Sequence, residues 1–151
     1  MTLARSGTVR AALLGGVVAG TVDIGAACVI NARSVPFILH AIAGGLLAER
    51  SFSGGVPSAI LGLVLQTAMG ILIAAIYVVA ARLLPILNRR WITWGLAYGI
   101  VIFFVMNYVV VPLSAWHRMP NFSTRQLAAN VAAMFLFGVI VAFFSSRSNR
   151  P

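Results

Sequence analysis

The sequence predicts an all-α membrane protein, with four transmembrane helices and a short interfacial or re-entrant helix between the first and second. Three observations carry that reading. Of 151 residues, 61% are hydrophobic and 9% charged, against roughly 45–50% and about 25% in a soluble domain, so most of this surface has lipid as its solvent. Four apolar blocks reach the roughly 20 residues that a helix needs to cross about 30 Å of hydrocarbon. The blocks are continuously apolar, without the two-residue alternation of barrel strands, so helices are preferred.

The first block runs from about Val9 to Ile30 and, past Arg10 at its start, holds one charge, Asp23. Arg5 and Arg10 precede its apolar stretch, and Gly25-Ala26-Ala27-Cys28 loosely resembles a lipoprotein cleavage site. The run is long for a signal sequence and an acid interrupts it, so an uncleaved anchor is expected, with Cys28 as a small packing residue. Between the first two blocks lies a helix over about 35–48. Ser34 is positioned to cap it, its apolar residues favour one side, and Gly44-Gly45 is a place to bend it. At about 20 Å it is too short to span, so it lies in the interface or dips part-way. Ser53-Gly54-Gly55 reads as a turn, and Pro57 suits the start of the second block, about 56–81, which is uncharged and long enough to cross tilted. The third block, about 91–111, stops at Pro112; the fourth covers about 126–144 and gives way to Ser145-Ser146-Arg147. All of it forms one integral membrane domain over 1–151, with no soluble domain.

Eleven arginines, no lysine and two acids, Asp23 and Glu49, leave a net charge of +9. The arginines are scattered between apolar blocks without the continuous basic stripe that nucleic acid requires, so anionic lipid headgroups are the expected partner. Seven arginines fall on one side of the four spans (Arg5, Arg10, Arg82, Arg89, Arg90, Arg147, Arg150) and four on the other (Arg33, Arg50, Arg118, Arg125). Both termini are therefore expected in the cytoplasm, with Trp91 and Trp94 in one aromatic belt and Trp116 in the other.

Asp23 is the sharpest feature, since an acid at the centre of a spanning helix costs roughly 2.5–3.5 kcal/mol on insertion scales. Each of the other spans also carries a strongly polar residue: Gln66, Asn107 and Asn130. If the four face inward together they form a candidate intramembrane polar site, in which amide partners would hold a neutral carboxylic acid. Two readings follow, the first leading and the second its alternative. In one the four residues hold helices together in a non-enzymatic structural or accessory component. In the other, Asp23 serves a proton- or cation-coupled small-solute transporter. The apolar blocks do not fix the phases of the helices, so convergence itself is not legible. His40 and His117 are too scattered to suggest a metal, and no catalytic constellation, cofactor motif or phosphate loop is present. Gly16 with Gly20, and Gly95 with Gly99, have the spacing that lets helix backbones touch, first within the chain and alternatively in a homo-oligomer.

Taken together, Ala19-Gly20-Thr21-Val22-Asp23, the Gly44-Gly45-Leu46-Leu47 to Ser53-Gly54-Gly55 connector, and Met106-Asn107-Tyr108 with Pro112-Leu113-Ser114 resemble a family of small four-helix bacterial inner-membrane proteins with no assigned activity. The resemblance spans most of the chain. It implies location and architecture and transfers no catalytic residue.

Overall fold

A computed structural model describes residues 2–148, with side chains from residue 7 onward; Arg150 and the Arg5 side chain, both counted above, lie outside the described residues. The helices are α1 (Thr2–Asn31), α2 (Val35–Leu47), α3 (Gly55–Leu83), α4 (Ile86–Arg89), α5 (Trp91–Val105), α6 (Val111–Leu113) and α7 (Thr124–Ser148). A 3-10 turn, Ala48–Phe52, follows α2, and a π-helical turn, Met106–Val110, joins α5 to α6. Among the described residues there is no strand. Four helical stretches are long and apolar enough to cross a membrane: Gly7–Asn31, Gly55–Leu83, Trp91–Leu113 and Thr124–Ser148. The chain is thus a multi-pass helical bundle. Its spans overrun the expected limits at every end but Trp91, where the third begins as expected, because helices continue past the last lipid-facing residue as long as their backbone bonds are made.

The third span does not stop at Pro112 as expected, but continues to Leu113. Proline has no N–H for the carbonyl four residues back and crowds it. The widened turn over Met106–Val110 moves the bonding register just ahead of the proline, and the Ser114 N–H and hydroxyl then close the last turn on the Val110 and Val111 carbonyls. The fourth span starts earlier than expected, at Thr124. Ser123 and Gln126 cap it reciprocally: the Ser123 N–H donates to Gln126 Oε1 at 3.1 Å, and the Gln126 N–H to Ser123 Oγ at 3.3 Å.

Three sides of the bundle are tight. α1 packs on α3 and on α7, and α7 packs on α5. Gly16 of α1 lies against the backbone of α3, where a Cβ would sit 2.5 Å from the Ile71 Cα, and Gly70 returns the contact from α3. Gly95 and Gly99 of α5 face Gly138 of α7 in the same way. Gly16, Gly95 and Gly99 therefore fill seams within the chain, whereas a Cβ on Gly20 would meet nothing nearer than 3.7 Å; Gly70 and Gly138 are their partners, each four residues before an alanine, Ala74 and Ala142. Antiparallel pairing of α1 with α7 sets Gly7 beside Ser148, so the beginning and end of the described chain share one end of the bundle.

The fourth side, between α3 and α5, is the loosest. It is bridged by Tyr98, whose hydroxyl donates to the Ile73 carbonyl at 2.7 Å and whose ring meets that of Tyr77, centroids 5.0 Å apart. At the terminal end, Asn88 clamps the α4 corner: its amide donates to the Ala81 carbonyl at 3.1 Å and accepts from the buried Ser145 hydroxyl at 3.1 Å.

The opposite end is closed by α2 and the loop after α6. Ser34 sits at the start of α2, but its carbonyl serves there, accepting the Ile38 N–H at 3.1 Å, while its hydroxyl makes no capping bond. Gly44-Gly45 does not break α2, which runs on to Leu47. Gly44 instead makes room for the Trp116 indole, whose N–H donates to the Ala41 carbonyl at 3.1 Å. Trp116, expected in an aromatic belt, is thus half-buried against α2. The Ala115 N–H bonds to the Gly45 carbonyl at 2.8 Å, and an exposed Arg118–Glu49 pair at 3.3 Å flanks the contact. On its other side α2 crosses α3, the backbone of Leu39 resting on Gly62.

Candidate functional site

Asp23, Gln66, Asn107 and Asn130, each half-buried, all line one partly open cavity of about 200 Å³ between the spans. It lies in the half of the bundle nearer α2; by helix rise, Asp23 is about two turns from the end of α1 and Asn130 about two turns from the start of α7. All four spans contribute to its wall, α3 and the third span from α5 to α6 most, so it occupies the loose side where α3 and α5 are not backbone neighbours. The convergence left open by the apolar blocks is therefore present in the fold.

The polar groups do not simply bond to one another. Gln66 Nε2 donates to Asp23 Oδ2 at 2.8 Å and approaches the Gly20 carbonyl at 3.4 Å, the one bond among the four and a tie between α3 and α1. Asn107 Nδ2 donates to the Phe103 carbonyl of its own helix at 2.8 Å, and Asn130 Nδ2 to the Gln126 carbonyl of its own helix, also at 2.8 Å. These bonds fix how each amide is turned, because a carbonyl partner accepts only from the N–H₂ side. They leave carboxylate and amide oxygens as the larger share of what the cavity offers.

The rest of the wall is soft and apolar. Met69, Met106 and Met134 line it from three different spans, with Phe103 and Phe137 beside them. None of these methionines stands out in the sequence as a site residue, because a thioether inside an apolar block carries no signal of its own. Asn107 and Met106 belong to the π-helical turn, and Val111 just beyond it completes that wall, so the turn that accommodates Pro112 also shapes the cavity.

The histidines lie elsewhere. His40 ties α2 to the start of α3, its ring nitrogens 2.6 Å from the Pro36 carbonyl and 3.0 Å from the Gly55 carbonyl. His117 occupies a left-handed turn, φ 45°, in the loop after α6. Among the described residues, no group of three His, Cys, Asp or Glu side chains gathers as a metal site would require.

Fold and site together define a multi-pass helical membrane bundle with an acid-bearing polar cavity between its spans. No family model, curated protein or solved structure matches the chain.

Proposed function

We propose that this chain is a non-enzymatic protein of the bacterial inner membrane, both termini cytoplasmic and its arginines among anionic headgroups, that works as a proton- or cation-coupled small-solute transporter through Asp23. One observation carries the reading: four polar side chains from four spans face a shared cavity, and two of them, Asn107 and Asn130, bond to their own helices and not across to a neighbour. Polar residues that serve only as glue satisfy one another, since a polar group left open inside a bundle is costly. An open carboxyl beside a loose seam is suited to exchange.

A structural or accessory role is the second reading, favoured by the Gln66–Asp23 bond that joins α3 to α1. A pH titration of the carboxyl infrared band in reconstituted bilayers, wild type against Asp23→Asn, separates the two. A transporter is expected to show an Asp23 band that disappears between about pH 5 and 8, in the range an exchanging acid needs. A band that persists throughout means an acid locked in packing, and the transporter reading then fails.

A further inference from the structure

The chemistry of the cavity wall narrows the solute. We infer that the cavity takes a small monovalent organic cation with N–H donors, of the alkylammonium or guanidinium class, bound at Asp23 in place of a proton; this rests on the transporter reading above.

The polar inventory carries the first step. Gln66 spends its amide hydrogens on Asp23 and on the Gly20 carbonyl, and Asn107 and Asn130 each spend one on a carbonyl of their own helix. Against the two amide hydrogens left over stand a carboxylate and three amide carbonyl oxygens, each oxygen with two lone pairs. Such a wall suits a ligand that brings donors. Asp23 is the one ionisable side chain among the residues lining the cavity, on α1, α3, α5, the π-helical turn, α6 and α7 alike. An anion is disfavoured beside it, and a divalent ion would remain half-neutralised away from water.

Size and wall chemistry carry the second step. At about 30 Å³ per water, 200 Å³ suits a ligand of about seven heavy atoms. A bare alkali ion needs five or six oxygens closing tightly around it, whereas here three thioethers and two phenyl rings make up much of the wall. Those groups suit the carbon part of an organic cation, through contact with polarisable sulfur and with ring faces. The exchange balances as one carboxylic acid plus one cation giving one carboxylate–cation pair plus one released proton, with no net change of charge in the cavity. Entry falls to the α3–α5 side, where helix contact is weakest.

The test uses the full chain in liposomes, with n-propylammonium and guanidinium as probes and n-butanol, Na⁺ and K⁺ as controls. Proton release and the Asp23 carboxyl band are read together. The expected result is one proton released per organic cation bound, affinity rising about tenfold per pH unit while Asp23 is protonated, at least tenfold weaker response to Na⁺ or K⁺, and none to n-butanol. Asp23→Asn should abolish the proton release. Asn130→Leu, which leaves the carboxyl in place, should weaken binding several-fold and keeps the test valid if the aspartate variant does not fold. Equal response to Na⁺, or organic cation binding unchanged by pH, overturns the inference. If the Asp23 band titrates but no organic cation perturbs it, the inference fails while the transporter reading stands; if the band does not titrate at all, both fail.

Discussion

At the scale of single residues, what decides a position in this bundle is the nearest backbone. Gly16 and Gly20 share one small-residue spacing on α1, yet a Cβ on Gly16 would lie 2.5 Å from the Ile71 Cα, while one on Gly20 would have its nearest neighbour, the Gln66 carbonyl oxygen, at 3.7 Å. Backbone cannot move aside as a side chain can. Gly16→Ala is therefore expected to destabilise the bundle by about 1–3 kcal/mol, the usual cost of overpacking. Gly20→Ala is expected to be neutral, or to gain up to about 1 kcal/mol from helix propensity. Denaturant unfolding of both variants in the same micelles checks the pair, and equal losses would sink the assignment. Asp23 follows a related rule in electrostatics: its cost in lipid is lowered because Gln66 meets one oxygen at 2.8 Å.

At the scale of elements, the sequence makes α2 legible as a short helix but not what holds it. Its docking depends on Trp116, far along the chain: an indole fitted over Gly44, an N–H bonded to the Ala41 carbonyl, and a ring contact with Phe52 at 6.3 Å. Trp116→Ala removes all three while leaving the spans intact. α2 is then expected to loosen by about 1–2 kcal/mol, so that amide exchange over 35–47 rises about five- to thirty-fold and exchange over 124–148 does not change. Uniform acceleration along the chain would mean that Trp116 supports the bundle as a whole. Pro112 shows a complementary limit. A helix stop was the natural reading of a proline after an apolar run, but a π-helical turn lets the span continue, and such a turn has no composition that marks it.

At the scale of the whole molecule, the spans were legible because crossing lipid demands about 20 apolar residues whatever the partners are. The way they pack was not, because helices whose lipid face and inner face are both apolar carry almost no periodic signal. Only the four polar residues and the paired glycines mark phase, and they mark it correctly only in retrospect: Gly16 and Gly99 face neighbouring spans of this chain, and Asp23, Gln66, Asn107 and Asn130 face one cavity.

Orientation is a separate property, set by arginine counts and not by packing. The bundle carries the α4 corner at the same end as its described termini, and α2 with the loop after α6 at the other. With seven arginines on the terminal side and four opposite, reporters fused at both termini should be cytoplasmic, and one inserted over 119–122 should be external. Replacing Arg82, Arg89 and Arg90 together by glutamine brings the two sides level. Because charge bias acts on insertion, this variant is expected to insert in both orientations, giving mixed signals from all three reporters. Termini found in opposite compartments would sink the four-span topology. A variant that still inserts in one orientation would show that the loop arginines do not set it, and the headgroup role proposed for them would lose its support.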